Sequence, residues 1–192
     1  MGGSTNLGIE MTFTKVKEVL EKNGFKVSCF DTKIEARDYL VNKLKGKSLG
    51  FGGSMTLREI GLRDILLPAP AGEKVETYLL SANALAETGE IVNIDGTGNR
   101  IAAAYYGPEN LIYVIGRNKL QPDLASAIDR ARNIAGPLNA KRLNKNTPCV
   151  EDLKCHDCDS PERICRGLAI TWWPMKGFKV TEVVLVDEDL GY

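Results

Sequence analysis

Four of the five cysteines of this 192-residue chain lie in one short polar segment, residues 147–166. They are Cys149, Cys155, Cys158 and Cys165, so that one close Cys-x-x-Cys pair has a single cysteine on each side. Four thiolates in one loop can close around one centre, and the two-residue gap lets neighbouring ligands share a metal. The segment therefore predicts a cysteine-coordinated metal site.

Two kinds of metal centre are compatible with this spacing. Structural zinc usually combines two close cysteine pairs, whereas one close pair flanked by single cysteines is closer to a loop that holds a four-iron cluster. We expect an iron–sulfur cluster (4Fe-4S), with zinc as the alternative, because spacing alone rarely identifies the metal. The single histidine, His156, is expected at the surface or as an outer hydrogen-bond donor, because four thiols suffice as ligands.

A glycine turn follows the second predicted strand, in the sequence GFGGSMTLREIG. Gly52 and Gly53 precede Ser54 and Thr56 at the start of a predicted helix, where free N–H groups and the helix dipole favour an anion. The turn is neither a dinucleotide fingerprint nor a P-loop, because it lacks the spaced glycines and the closing Lys-Ser or Lys-Thr. A tight turn with Ser54 as the helix N-cap is the alternative interpretation.

A second polar segment, SANALAETGEIVNIDGTGNR at residues 81–100, carries two turn signals where a plain hairpin needs one. Arg100 offers a planar guanidinium suited to a carboxylate or phosphate. Glu87 and Asp95 are the candidate catalytic groups, and a solvated hairpin with local turn bonds is the alternative. The predicted ligand site combines this segment with the glycine turn: Gly52, Gly53, Ser54, Thr56, Asn83, Glu87, Asp95, Gly96, Thr97, Gly98, Asn99 and Arg100.

Alternating helix and strand signals surround these segments. Helical spacing of apolar residues runs over 12–23, 34–44, 54–67 and 124–135, and strands are predicted at 25–30, 48–53, 77–83, 90–94 and 111–116. This alternation predicts an α/β fold with a mostly parallel sheet, in which ligands bind beyond the carboxyl ends of the strands. After the cysteine loop, residues 168–175 and 179–188 are predicted as two strands, antiparallel at a sheet edge.

Composition limits the partners and the compartment. The 25 basic residues balance the 25 acidic ones, so no strong field attracts nucleic acid or a membrane surface, and a small anionic metabolite is the expected ligand. No apolar run approaches the ~20 residues that span a bilayer, and no signal peptide is evident, so we expect a cytoplasmic protein. Thiols stay reduced there, which favours a metal site over disulfides.

The length fits one domain, residues 11–192, after an N-terminal extension or tag remnant at residues 1–10. Trp172 and Trp173 are adjacent in a predicted strand, so that one is expected in the core and the other exposed or at a subunit contact of a homo-oligomer.

Seven blocks carry a family resemblance: GFGGSMTLREIGL, SANALAETGEIVNIDGTGNR, GRNKL, RNIAGPLNAKRLNKNTPC, CHDC, RIC and LGY, from about Gly50 to Tyr192. They resemble the LUD (lactate utilization) domain family, particularly its short stand-alone members. The resemblance implies a three-layer, Rossmann-like, mostly parallel sheet related to glucosamine-phosphate deaminase, ribose-phosphate isomerase and the coenzyme A transferases. The segment 81–97 is also similar to the active-site strand of methylthioribose-phosphate isomerase relatives, with Asn83 in place of their acid.

The functions implied by this resemblance differ in class. The first is an oxidoreductase component of the oxidation of L-lactate or a related hydroxy acid, working with iron–sulfur electron-transfer proteins. The second is an isomerase- or transferase-like enzyme acting on a sugar phosphate or coenzyme A-linked substrate, with a structural zinc. Because Asn83 cannot act as a general base, isomerase chemistry does not carry over directly. The third is a non-catalytic ligand-binding subunit.

Overall fold

The computed structural model describes residues 13–70 and 73–192. The predicted extension at residues 1–10 lies outside the described residues. In chain order the strands are β1 (Lys26–Phe30), β2 (Leu49–Phe51), β3 (Thr77–Leu80), β4 (Ala84–Ala86), β5 (Ile91–Asp95), β6 (Asn110–Gly116), β7 (Leu120–Gln121), β8 (Gly167–Thr171) and β9 (Val180–Val186).

Helices connect and cover these strands. They are α1 (Phe13–Lys22), α2 (Lys33–Leu44), α3 (Met55–Glu59), α4 (Leu62–Ile65), α5 (Asn99–Tyr105), α6 (Leu124–Arg130), α7 (Gly136–Arg142) and α8 (Cys149–Asp152). A 3₁₀ turn, Arg117–Lys119, follows β6, and a π-helical segment, Ala131–Ala135, joins α6 to α7. Within the described ranges, none of the helices has the length and apolar character to cross a membrane.

The central sheet is parallel throughout, with the strand order β1-β9-β6-β3-β2. Both faces are covered, which explains the continuous apolar run of β6. Leu111 and Tyr113 point to a core shared with α1 and α5, while Ile112 and Val114 point to a core shared with α2, α3 and α4. The prediction of an α/β fold with a mostly parallel sheet is confirmed.

A smaller second sheet has the strand order β7-β4-β5-β8 and packs against the core that α1 and α5 share with the central sheet. Leu85 and Ile91 join the core of α1 and the central sheet, whereas Ala84 and Val92 pack on the opposite side against Ala127 of α6. The second sheet is therefore enclosed between the central sheet and the α6–α7 helix.

Two predicted elements differ from the structure. The strand predicted at 179–188 is not an edge strand, because β9 lies between β1 and β6 and is buried from Thr181 onward. Its run of Val183, Val184, Leu185 and Val186 suits a strand that is covered on both faces. The strand predicted at 168–175 ends earlier, because β8 stops at Thr171, and it pairs antiparallel with β5 at the edge of the second sheet rather than with β9.

The predicted helix over residues 54–67 is broken. Gly61 adopts a left-handed conformation, with φ of 76°, and separates the five-residue α3 from the four-residue α4. Glycine is suited to this conformation because it has no Cβ. Helix α5 is absent from the sequence-based prediction, because the Gly-Thr-Gly-Asn sequence before it is typical of a turn.

Candidate functional site

A cavity of about 540 Å³ opens where β2, β3 and β5 end. Residues that follow these strands form one side, and α7 with Ile164 and Tyr192 forms the other. Its volume lies within the roughly 300–1,000 Å³ usual for small-molecule sites. The cavity is therefore placed and sized for a metabolite, at the sheet edge where α/β proteins bind ligands.

Basic side chains outnumber acidic ones around this cavity. The lining contains two acidic residues and five basic ones, namely Asp64, Asp95, Arg58, Arg63, Arg100, Lys119 and Arg142. Clefts lined by one sign of charge concentrate ligands of the opposite sign, and guanidinium groups bind carboxylates and phosphates through two parallel hydrogen bonds. The lining therefore suits an anion.

Asp95 and Arg100 are fixed by the turn between β5 and α5. The Asp95 carboxylate accepts hydrogen bonds from the backbone N–H groups of Thr97, Arg100 and Ile101 at 3.3, 3.0 and 3.3 Å. Arg100 Nε lies 3.7 Å from Asp95 Oδ2, and Arg100 Nη2 donates to the Ile94 carbonyl. Burial acts to raise the pKa of Asp95, but Arg100 and the three N–H groups outweigh it and lower that pKa. Asp95 is thus a fixed carboxylate that organises the turn.

The glycine turn passes directly beneath Arg100. A Cβ on Gly52 would lie 3.1 and 3.3 Å from Cγ and Cδ of Arg100, closer than most side chains tolerate. Ser54 caps α3 by accepting from the Leu57 N–H at 3.2 Å. Because α3 has five residues, its dipole is much weaker than the prediction assumed, and the positive charge of the site comes from the side chains.

Most of the predicted ligand residues line this cavity. Those that do are Gly53, Ser54, Asn83, Asp95, Gly96, Thr97, Asn99 and Arg100. Gly52 lies against Arg100, and Gly98 is the left-handed residue before α5, with φ of 84°. Thr56 is fully buried behind the wall, where it contacts Lys119 and Ser81.

Glu87 is not part of this cavity, which corrects its expected place in the site. It lies in the turn between β4 and β5, at the opposite end of that hairpin from Asn83 and Asp95. Its buried carboxylate pairs with Lys15 of α1. A hairpin places its turn and its open end far apart, so Glu87 and Asp95 cannot act on the same small ligand.

Lys119 is the main site residue that the sequence did not identify. It lines the cavity, is 2% exposed, and donates to Thr56 Oγ1, Ser81 Oγ and the Ala82 carbonyl at 2.8, 3.0 and 3.0 Å. Burial and the charges of Arg130 and Arg100 lower the pKa of Lys119 to about 7, and Glu59 offsets part of this. The sequence feature that could have indicated Lys119 is its position just after the central strand β6.

The four loop cysteines line a second, smaller cavity next to the first. Cys149, Cys155, Cys158 and Cys165 all face it, together with Arg132 and Arg163 from its rim. Arg163 donates to the carbonyls of Cys165 and Cys158 at 3.0 and 2.8 Å, which ties both halves of the loop together. His156 is exposed and contacts Asp152 at 3.0 Å.

The donor set of this second cavity suits a thiolate-bound metal. Four thiols, none of them in a disulfide bond, line one small space with basic neighbours. In residues 13–70 and 73–192, however, no three Cys, His, Asp or Glu side chains are close enough to bind one ion as placed. Binding would therefore require the cysteine side chains to draw together.

The two cavities share a wall. Gly136 and Ile164 line both of them. A Cβ on Gly96 would lie 2.6 Å from the Ile164 carbonyl oxygen, so the cysteine loop rests directly on the turn after β5. The Arg166 N–H also donates to the Asp95 carbonyl at 3.0 Å. The cysteine loop therefore packs directly against the wall of the larger cavity.

Comparisons with known proteins agree with this architecture. The protein is similar to a DUF162 family protein from Deinococcus radiodurans, with a TM-score of 0.55 and 13% identity over 90% of this chain and 94% of that chain. At this identity the likeness concerns the fold. No curated protein shows significant similarity to the chain. The family profile of the LUD domain matches residues 13–76 and 70–186. The chain therefore belongs to the LUD domain family.

Proposed function

We propose that this protein binds a small anionic metabolite in the cavity beyond β2, β3 and β5. The observation that carries the proposal is the excess of basic side chains in the lining, with Arg100 fixed by Asp95 and by the Ile94 carbonyl. A guanidinium held in one orientation loses little freedom when it binds a carboxylate, which favours affinity.

The metabolite class is inferred from the family. LUD domains are associated with lactate utilization, so we infer that the ligand is L-lactate, pyruvate or a related hydroxy or oxo acid. The protein would then act as an oxidoreductase component of hydroxy-acid oxidation, in the cytoplasm and with iron–sulfur electron-transfer proteins as partners. The carboxylate would lie near Arg100 and Arg142, which both line the cavity.

Arg142 and Lys141 provide a matched test, because they are neighbours at the end of α7, both are exposed, and only Arg142 lines the cavity. We expect Arg142→Ala to weaken binding of pyruvate and L-lactate about tenfold, as for loss of one charged hydrogen bond. Lys141→Ala should leave the affinity unchanged. Isothermal titration calorimetry measures both, and equal affinities for the two variants would contradict the proposed site.

A second candidate ligand class is favoured by the size of the cavity. About 540 Å³ is much more than a three-carbon acid fills, and several guanidinium groups could bind a phosphate as well. A sugar phosphate or a coenzyme A-linked acid is therefore the alternative. If ribose 5-phosphate binds more tightly than pyruvate and displaces it, the isomerase- or transferase-like function takes the place of the lactate function.

The cysteine cavity completes the proposal. Cys149, Cys155, Cys158 and Cys165 would hold the metal centre, and the basic groups of Arg132 and Arg163 would offset thiolate charge. An iron–sulfur cluster would supply one-electron transfer, whereas zinc would only hold the loop. Purification without oxygen, followed by absorbance near 400 nm and metal analysis, tests this part. A colourless protein with stoichiometric zinc would remove the electron-transfer role.

A further inference from the structure

Lys119 is a buried lysine that is held by uncharged partners. Among the described residues, no acidic group lies within ion-pair distance of its Nζ atom, whose contacts are two hydroxyls and a carbonyl. The charged groups that face it are Arg130 of α6, Arg100 of α5 and, more favourably, Glu59 of α3. Two of these three repel the ammonium form.

Lys43 provides the internal comparison. It lies on α2 and contacts the fully buried carboxylate of Glu182 and the hydroxyl of Tyr39. Burial acts to lower the pKa of Lys43, but the hydrogen bonds to Glu182 and Tyr39 raise it. Lys43 is therefore a paired structural cation, whereas Lys119 has the environment of lysines that act as amines.

The two carboxylates that the sequence predicts as catalytic groups are poorly placed for proton transfer in this cavity. Glu87 lies at the far end of the β4–β5 hairpin, and Asp95 is occupied by three backbone N–H groups. A neutral amine in a desolvated site next to other cations is a nucleophile towards carbonyl carbon. Lys119 thus has a reactivity that nothing else on the cavity wall offers.

We propose that Lys119 is an imine-forming residue for a carbonyl compound that carries a carboxylate or phosphate. This rests on the proposed anion site, in which Arg100 and its neighbours hold the acidic group. The Nζ lone pair adds to the carbonyl carbon and forms the N–C bond. Both hydrogens of the amine pass to the carbonyl oxygen, which leaves as water while the C=N bond forms. The step needs no oxidant or reductant.

Two hydroxyl groups are placed to carry these protons. Ser81 Oγ and Thr56 Oγ1 lie 3.0 and 2.8 Å from Nζ and 3.2 Å from each other. A hydroxyl both donates and accepts a hydrogen bond, so this pair can move a proton between the nitrogen and the departing oxygen. Ser81 lines the cavity, while Thr56 lies behind it.

The test traps the imine on the unmodified protein. Pyruvate is added at neutral pH with sodium cyanoborohydride, which reduces an imine to a stable amine but leaves the free ketone intact, and peptides are mapped by mass spectrometry. We expect about one adduct per chain, on Lys119, formed at least about tenfold faster than on exposed Lys141. The reason is that an ordinary lysine with a pKa of about 10.4 is almost wholly protonated at neutral pH.

Two controls accompany this measurement. L-Lactate, which has a hydroxyl in place of the keto group, should give no adduct and should slow labelling by pyruvate. Lys119→Met keeps an apolar stem without the amine and should lose the adduct, with circular dichroism to check folding.

The possible results separate this inference from the proposed function. If calorimetry shows that pyruvate binds but Lys119 is not labelled, or is labelled no faster than Lys141, the imine proposal is overturned and the anion site stands. If neither pyruvate nor ribose 5-phosphate binds, the anion site fails, and the imine proposal fails with it.

Discussion

The larger cavity and the cysteine loop share a wall, but they are held in place differently. Asp95 and Arg100 are fixed by backbone groups at the end of a buried strand. The loop, residues 147–166, contains one helical turn and adds only Cys165 to a hydrophobic cluster. Its Leu153 and Asp157 adopt left-handed conformations, with φ of 59° and 45°, which non-glycine residues rarely do.

This difference indicates how each region gains its order. The cavity is preformed by the fold, which has to accommodate an unpaired buried lysine there. The loop contributes little to the hydrophobic clusters and is held mainly by hydrogen bonds, so the proposed ion would add to its order. Substitutions in each region can test this contrast, and the largest effect is expected in the loop.

Removal of the thiols should disorder the loop without unfolding the sheet. We expect the double variant Cys155→Ser and Cys158→Ser to be cleaved by protease within residues 147–166 more than about a thousandfold faster than the metal-loaded protein. Structural zinc binding contributes about 10–16 kcal/mol in small peptides, which is more free energy than a thousandfold change in the cleavage rate requires. Cys29→Ser, at an exposed cysteine outside the loop, is the matched control. Equal protection in all three proteins would show that the loop needs no ion.

The cavity should reveal its buried lysine through the pH dependence of stability. Because the pKa of Lys119 is about 7 in the folded state and 10.5 is the ordinary value, the unfolded chain binds more protons between these limits. The free energy of unfolding should therefore rise with pH over this window, by roughly 2–3 kcal/mol between pH 7 and 9, and the contribution becomes constant below about pH 6, where the folded lysine is also fully protonated.

Urea denaturation at several pH values measures this slope. Lys119→Met should remove it, whereas Lys141→Met, at an exposed position on α7, should retain it. The contributions of all other groups are common to the variants and cancel in the difference. The same slope in Lys119→Met as in the original protein would mean that Lys119 is an ordinary lysine.

The shared wall should be sensitive to a single methyl group. Gly96→Ala would place a Cβ 2.6 Å from the Ile164 carbonyl oxygen, a backbone atom that cannot rotate away. We expect a loss of about 1–3 kcal/mol in the free energy of unfolding, as for overpacking elsewhere. Gly53→Ala, where no atom lies within 4 Å of the added Cβ, should change it by less than about 0.5 kcal/mol. Equal melting temperatures for the two variants would contradict the close packing of the regions.

The sequence predicts ligand-binding residues where strand ends and turn residues coincide, and most of these residues line the cavity. Gly53, Ser54, Asp95 and Arg100 follow predicted strands, and parallel strands bring their carboxyl ends together. It could not identify the basic residues on helices, such as Arg142, because the same pattern is typical of a solvated face.

Other misses have equally specific physical reasons. The burial of Lys119 depends on the packing of Thr56 and Ser81, which are 63 and 38 residues away in the chain. The prediction placed Glu87 in the ligand site because the sequence of residues 81–100 does not show which end of the hairpin faces the ligand. The central position of β9 depends on pairing with β1, at the other end of the chain.

The π-helical segment Ala131–Ala135 has a consequence for both cavities. Its wide turn, in which the Gly136 N–H bonds to the Ala131 carbonyl, inserts one surplus residue before Pro137. Each residue of a helix rotates the next one by about 100° around the axis, since one turn takes 3.6 residues. The extra residue thereby sets the rotation of α7 about its axis. Asn139 and Arg142 line the larger cavity, while Pro137 and Ala140 line the cysteine cavity. Deleting one residue here would rotate α7 by about 100° around its axis, so that these four residues would no longer face their present cavities.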